Sequence, residues 1–239
     1  MLYYYGFDWT YLIIVLPCLL ISMWASSSVN STFRRYSNQH SSRHITGADA
    51  ARRVLNANGI YNVRIEQVSG NLTDHYDPKT NVIRLSDAVY GSDSTAAIGV
   101  ACHEAGHAVQ YAQSYFPIKI RAAIIPITNL GSKLAMPLIL LGVLLTFLGY
   151  FSTALIYLGI GLFAFSLIFQ LITLPVDFNA SRRAMEAIEH AELLNREEIA
   201  GARKTLQAAA MTYVATAAVS FAQLLRLILL FGNRGRRRY

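Results

Sequence analysis

The stretch LAMPLILLGVLLTFLGYFSTALIYLGIGLFAFSLIFQLITLPV, residues 134–176, contains no Asp, Glu, Lys or Arg. A single helix crosses a bilayer with about 20 apolar residues, so this uncharged run is long enough for two crossings. The segment GYFS at 149–152 interrupts the run near its middle. We therefore predict a transmembrane hairpin over residues 135–174, with spans near 135–149 and 153–174.

Composition and two further apolar stretches also indicate a membrane protein. Hydrophobic residues make up 54% of the chain and charged residues 15%, against about 25% charged residues in an average soluble domain. This balance disfavours a disordered chain and an ordinary soluble enzyme. We predict a first transmembrane helix over residues 9–26, for which a cleaved signal peptide is the alternative. The last apolar helix, residues 205–231, contains Arg226 and either spans the membrane or packs against protein.

The distribution of the basic residues predicts the orientation in the membrane. Of the 21 Lys and Arg residues, eleven lie between the first span and the hairpin, and five lie between the hairpin and the last apolar run. A hairpin returns the chain to the side it left, so both basic loops share one side, which the positive-inside rule assigns to the cytoplasm. The basic residues that give the net charge of +7 flank apolar runs, so we expect them to interact with the lipid bilayer and not with nucleic acid. The residues expected to contact anionic lipid at the C-terminus are Arg234, Arg236, Arg237 and Arg238.

The polar sequence predicts mainly helices with a small β component, all within one membrane-integrated domain over residues 1–239. The elements of the hydrophilic part, residues 43–133, are a helix opened by Thr46 or Asp49, strands at 61–68 and 81–85, and a helix over 95–111 capped within 92–94. The region after the hairpin, residues 177–204, is also predicted to be helical. Asn195 and Glu198 have the spacing of a capping box inside it.

The helix predicted over 95–111 contains His103-Glu104-Ala105-Gly106-His107, an HExxH motif. Residues four positions apart lie on the same helical face, so His103 and His107 can bind one metal ion together. Glu104 can then act as general base towards a water molecule on that metal. The pattern predicts hydrolysis with one catalytic Zn²⁺. The alternative is a pair of structural histidines beside a surface glutamate.

A third zinc ligand must come from another part of the chain, because catalytic zinc takes three protein ligands and keeps one open position. The candidates are several acidic residues and the histidines His40, His44, His75 and His190. Asp177 is the strongest, because it is the first charged residue after a hairpin that returns the chain to the side of the motif. We expect a helix to start at Asp177, so the alternative role of this residue is an N-cap.

Three segments of the chain resemble the YugP-like neutral zinc metallopeptidases of bacteria: DHYDPKTNVIRLS at 74–86, AAIGVACHEAGHAVQ at 96–110 and LPVDFNASRRA at 174–184. The chain is more distantly similar to the HtpX-type and CAAX-prenyl-protease metallopeptidases, which also place a membrane hairpin between HExxH and a carboxylate ligand. The resemblance implies a zincin-like, multi-pass enzyme of the bacterial cell membrane that acts on peptide or membrane-protein substrates.

The resemblance also implies zinc ligation by His103, His107 and Asp177, with Glu104 as the catalytic residue. In the distant relatives the third ligand is the Glu of an E-F-x-A-D segment, whose last acid can orient a histidine ligand. The corresponding positions here are Asp177 and Ser181, so a shorter ligand and a hydroxyl replace the two acids.

Other candidate residues are less strongly indicated. Resemblance to metallopeptidases implies an edge strand at 81–85 that pairs with substrate backbone, and the alternative is an ordinary strand. The substrate-binding candidates in it are Asn81, Val82, Ile83 and Arg84. Asp74, His75 and Asp77 bind a second metal, support the zinc site or belong to a turn with an Asx cap. Arg182 and Arg183 are candidates for stabilising an oxyanion or for pairing with Asp and Glu side chains, and one of them is expected to be a solvated helix charge.

Two main classes of function follow from these features, and the ligands alone also allow a third, metal-dependent hydrolysis of a bond other than the peptide bond. The first is an integral-membrane zinc endopeptidase that hydrolyses peptide bonds at the cytoplasmic side, with a role in membrane-protein turnover suggested by analogy. The second is a catalytically weak pseudoprotease that binds membrane clients or scaffolds a complex. The complete HExxH favours the first class, and the aspartate at the third ligand position keeps the second open.

Overall fold

The computed structural model describes residues 3–4 and 7–232, and these form a mostly helical protein with little β structure. The arginines expected to contact lipid at 234–238 lie outside the described residues. The helices are a π-helical turn Tyr11–Val15, α1 Leu16–Tyr36, α2 Gly47–Ala57, α3 Asp87–Tyr90, α4 Thr95–Ala112, α5 Phe116–Leu144, a 3-10 turn Thr146–Leu148, α6 Tyr150–His190 and α7 Arg196–Phe231. The strands are β1 Tyr3–Tyr4, β2 Phe7–Asp8, β3 Arg64–Val68, β4 His75–Asp77 and β5 Val82–Ser86. The predicted fold class, mainly α with a small β component, is confirmed.

Within the described residues, four helices have the length and hydropathy needed to cross a bilayer: Tyr11–Tyr36, Phe116–Leu144, Tyr150–His190 and Arg196–Phe231. The first helix and the hairpin were both expected, and the hairpin turns where the sequence predicts it. The 3-10 turn is followed by Gly149 at φ +59°, a conformation that glycine adopts without steric cost. The last apolar stretch belongs to α7, which also qualifies as a candidate span.

Two of the long helices extend well beyond the predicted spans. Helix α5 begins at Phe116, so it already includes the last charged residues of the region predicted to be hydrophilic. Helix α6 continues through Pro175 and ends only at His190. The prediction that a new helix starts at Asp177 is therefore wrong. A proline within a long apolar helix is tolerated where neighbouring groups satisfy the freed carbonyl.

The chain divides into two compact units, and each of the four long helices contributes residues to both. The first unit contains the described residues up to Trp24, Ile120–Thr173 and those from Tyr213 onward. Its hairpin helices pack closely at small residues. A Cβ added to Gly159 would lie 2.7 Å from the Ala135 carbonyl oxygen, and the Ser152 hydroxyl donates to the Gly142 carbonyl at 2.7 Å. Such small-residue contacts are typical of helix pairs in membranes.

The second unit, Ala25–Lys119 with Leu174–Thr212, has its own hydrophobic core. Apolar side chains of α2, β5, α4 and the end of α6 form this core, including Leu55, Ile83, Leu85, Ile98 and Ile188, all fully buried. The alanine and glycine residues of α4 allow this close packing, because their small side chains let the backbones of neighbouring helices approach. The core holds α4 between the sheet, α2 and α6.

The sheet of the second unit has the order β3-β5-β4. Strand β5 is parallel to β3 and antiparallel to β4, with Tyr76 opposite Ile83. The prediction that residues 81–85 form an edge strand is therefore wrong, because Val82, Ile83 and Arg84 lie in the central strand and both of its edges are already paired. Strands β3 and β4 are the two edge strands of this sheet.

Helix ends in this unit follow the local signals in the sequence. Thr46 caps α2 by accepting from Asp49 N, and Ser94 caps α4 by accepting from Ala97 N. Asn195 and Glu198 form the expected capping box, since each side chain accepts a hydrogen bond from the backbone N–H of the other residue. These caps were predicted at the positions where the structure has them.

Candidate metal centre

Helices α4 and α6 approach so closely at the HExxH motif that only glycine fits at position 106. A Cβ added to Gly106 would lie 2.7 Å from the Ala180 carbonyl oxygen of α6. This approach brings α6 residues one turn before Ala180 to the face of α4 that carries the histidines. Asp177 therefore reaches the motif from the interior of a helix, where it cannot act as an N-cap.

His103, His107 and Asp177 offer ligand atoms that all lie within 4.8 Å of one another. The Nε2 atom of His107 is 3.4 Å from Oδ1 of Asp177. Two ligands about 2.0–2.1 Å from a zinc ion at a tetrahedral angle lie about 3.3–3.4 Å apart, so this pair has the spacing of a zinc site. Asp177 and His107 are almost fully buried, at 4% and 8% exposure, which favours a defined geometry.

Neighbouring side chains contact both imidazoles at Nδ1. Nδ1 of His107 lies 3.0 Å from Oε1 of Gln110, and Nδ1 of His103 lies 3.0 Å from the hydroxyl of Ser181. Hydrogen bonds of this kind fix the ring orientation of metal-binding histidines. The hydroxyl of Ser181 therefore contacts the first histidine of the motif.

The hydrogen bonds of Gln110 determine which nitrogen of His107 carries the proton. Its Nε2 donates to the carbonyl oxygen of Val176 at 2.9 Å, so Oε1 is the atom that faces His107 and must accept. Nδ1 of His107 is then a donor, and Nε2 is the ring nitrogen that faces the Asp177 carboxylate. A metal ion placed between Nε2 and Oδ1 would bind both atoms. The donor set fits Zn²⁺, which prefers imidazole and carboxylate ligands in this number.

Glu104 is buried beside the histidines and is held by the edge strand. The backbone N–H of Tyr76 in β4 donates to Oε2 of Glu104 at 2.9 Å, which leaves Oε1 for another partner. Burial raises the pKa of the Glu104 carboxyl above its usual range, and the charge of Asp74 acts in the same direction. The charge of His107 and the Tyr76 N–H oppose this shift. A carboxylate with a raised pKa is suited to taking up and releasing a proton.

The remaining predicted site residues lie apart from this group of three. His75 is exposed in strand β4 and not in a turn, and its Nδ1 lies 2.8 Å from the Thr73 carbonyl oxygen. Arg182 is exposed and lies 3.8 Å from Glu186, which agrees with a solvated helix charge. Asn81 lies at φ +56° and its Oδ1 accepts from the Tyr76 hydroxyl.

The histidines that the sequence offers as alternative third zinc ligands also lie apart from His103 and His107. His40 and His44 both contact Asp93, at 2.5 Å and 3.0 Å, in the segment that precedes α4. His190 is exposed at the end of α6 and lines a cleft of about 460 Å³ between α2, α4 and α6. Among the described residues, Asp177 is the acidic residue that groups with both histidines of the motif.

Sequence reasoning did not single out three residues that organise the site. Gln110 follows His107 by three positions, so helical spacing alone places it on the same face. Asn179 accepts from Gln110 Nε2 at 2.9 Å, and Tyr76 holds Glu104 through its backbone. No sequence pattern indicates the last two contacts, because both join elements far apart in the chain.

Comparison with known proteins agrees with the chemistry of this centre. The family model described as "Putative neutral zinc metallopeptidase" matches residues 11–232. The "Putative membrane protease YugP" of Bacillus subtilis (strain 168) is 47% identical over 223 residues, which cover 93% of this chain and 97% of that protein. No solved structure matches the chain. The matched range includes the motif, the hairpin and Asp177, and the chain belongs to this family of neutral zinc metallopeptidases.

Proposed function

We propose that this protein is a zinc-dependent membrane endopeptidase in which His103, His107 and Asp177 hold one catalytic zinc ion. The observation that carries the proposal is the buried carboxylate of Glu104 beside three grouped ligand side chains. Zinc, when bound, lowers the pKa of a water molecule to about 7 and polarises a carbonyl group. Peptide-bond hydrolysis needs both effects together with a base.

Glu104 acts as the general base through Oε1, the carboxylate oxygen that does not accept the hydrogen bond from the Tyr76 N–H of the sheet. The Tyr76 N–H holds Oε2, so Oε1 takes the proton from the attacking water and later gives it to the leaving amine. Burial of the carboxyl excludes bulk water, which would otherwise exchange this proton. Gln110 and Ser181 keep both imidazoles oriented during the reaction.

The substrates of this proposal are peptides or membrane proteins presented at the cytoplasmic side. The apolar helices keep the enzyme in the bilayer, and the basic loops that flank the hairpin favour a cytoplasmic location of the site. A membrane-bound protease with this orientation is suited to the turnover of membrane proteins.

The experiment that tests the proposal compares wild-type protein with Glu104→Gln in proteoliposomes that also contain a library of membrane proteins. Glu104→Gln keeps the shape of the side chain and the three ligands, so it should retain zinc while cleavage falls by roughly 10²–10⁴-fold. Cleavage is read by mass spectrometry of new termini, and zinc content is measured in the same preparations. Equal cleavage by both proteins would remove Glu104 from its role, and zinc binding without cleavage by the wild type would indicate a pseudoprotease.

A further inference from the structure

Four polar side chains form a continuous hydrogen-bonded line that starts at His107 and leads away from the metal centre. His107 Nδ1 contacts Oε1 of Gln110 at 3.0 Å, and Nε2 of Gln110 donates to Oδ1 of Asn179 at 2.9 Å. The same Oδ1 accepts from Nε of Arg183 at 2.7 Å. His107 and Gln110 come from α4, whereas Asn179 and Arg183 come from α6.

The direction of every hydrogen bond in this line follows from the arginine. A guanidinium carries donors only and does not lose its proton in proteins, so the atom of Asn179 that faces Arg183 must be the oxygen. That oxygen also faces Gln110, which must therefore present its amide nitrogen. The opposite end of the Gln110 amide is then an oxygen, and it can only accept a hydrogen bond from His107.

The amide of Gln110 has a second constraint that agrees with the first. Its other N–H donates to the Val176 carbonyl oxygen at 2.9 Å, and this oxygen cannot donate. Gln110 is fully buried, so a reversed amide would place oxygen against oxygen in a region of low dielectric. Both constraints require Nδ1 of His107 to donate, and in such a ring Nε2 is the nitrogen that can bind a metal.

Arg183 is itself fixed at the outer end of the line. Its Nη1 donates to Oε1 of Gln113 at 2.6 Å, and its guanidinium carbon lies 5.8 Å from the centre of the Tyr115 ring. Arg182, its neighbour in sequence, is exposed and contacts Glu186 at 3.8 Å instead. Substitution of Arg182, which lies outside the hydrogen-bonded line, is therefore a matched control for substitution of Arg183, which lies within it.

We propose that Arg183 is a positioning residue for the metal centre. Through Asn179 and Gln110 it selects the ring form and orientation of His107 that present Nε2 to the metal. This inference rests on the proposed function, since it takes His107 as a metal ligand. It assigns to Arg183 a role different from the oxyanion contact that the sequence suggested.

The test measures zinc affinity of the purified full-length chain by competition with a chromophoric chelator. Arg183→Ala and Asn179→Leu should each weaken zinc binding by roughly 10-fold or more, the size of effect that partners of metal-binding histidines produce. Arg182→Ala should change the affinity by less than about twofold. Asn179→Asp keeps an oxygen acceptor for both neighbours and should restore most of the affinity.

A second readout separates positioning from general destabilisation. With Co²⁺ in place of zinc, the visible absorption bands should shift in Arg183→Ala and stay unchanged in Arg182→Ala. Only Arg183→Ala removes the hydrogen bonds that fix the orientation of the His107 ring. Wild-type affinity and spectrum in both Arg183→Ala and Asn179→Leu would overturn the inference. A wild-type protein that binds neither metal would instead overturn the proposed function. If Asn179→Leu does not fold, Arg183→Ala decides the outcome.

Discussion

Asp177 combines burial, a position inside a helix and closeness to two histidines, and its position inside the helix excludes the role of an N-cap. A helix cap must lie at a helix end, but Asp177 lies within α6, which runs from Tyr150 to His190. A buried carboxylate is costly unless a cation or several donors compensate it. Its Oδ1 faces Nε2 of His107 at 3.4 Å. A bound metal ion explains all three features at once.

Substitutions of Asp177 give a prediction that belongs to this single residue. Asp177→Ser and Asp177→Ala should lose most of the bound zinc and the activity, since neither side chain offers a carboxylate. Asp177→Glu adds one methylene and keeps a carboxylate, so it should retain part of the bound zinc and part of the activity. Zinc content of the purified variants is measured by atomic emission. A Ser variant that is active with a full equivalent of zinc would show that the assignment is wrong.

The close contact between α4 and α6 is the structural feature that brings the ligands together. Gly106 lies between the two histidine-bearing turns of α4, and the backbone of α6 occupies the space that a side chain would need. Gly106→Ala should push the helices apart, destabilise the protein by roughly 1–3 kcal/mol and weaken zinc binding. Unfolding midpoints in detergent and zinc affinity measure the two effects.

Gly91 provides the matched control for that prediction. A Cβ added there would meet nothing within 4 Å, so Gly91→Ala should leave both the unfolding midpoint and zinc affinity close to wild type. Equal behaviour of the two alanine variants would mean that the α4–α6 contact does not organise the centre.

The sequence predicts those elements whose signals are local. The spacing of His103 and His107, the cap at Ser94 and the turn near Gly149 each depend on a few neighbouring residues, and the structure has them where they were expected. The order of the strands depends on pairing between distant segments, which is why β5 proved to be central. The continuation of α6 beyond Pro175 depends on packing, which outweighs the local tendency of proline to end a helix.

Four helices in the described part of the chain are candidate membrane spans, and the second unit contains the proposed metal centre. The distribution of charge predicts the orientation in the membrane. Both basic loops adjoin the hairpin and are predicted to be cytoplasmic. A cysteine at exposed Ser69, with Cys18 and Cys102 replaced by alanine, should resist impermeant thiol reagents in intact cells and react after permeabilisation. Ready labelling of intact cells would place the centre on the outer side.

The measurement that tests the central claim most directly is zinc X-ray absorption of the purified wild-type protein, together with its metal content. Two imidazoles and a carboxylate predict close to one equivalent of zinc, with nitrogen and oxygen neighbours at about 2.0–2.2 Å and the scattering pattern of histidine rings. Sulfur neighbours at about 2.3 Å, or a protein that retains no zinc when the metal is supplied, would contradict a centre built from His103, His107 and Asp177.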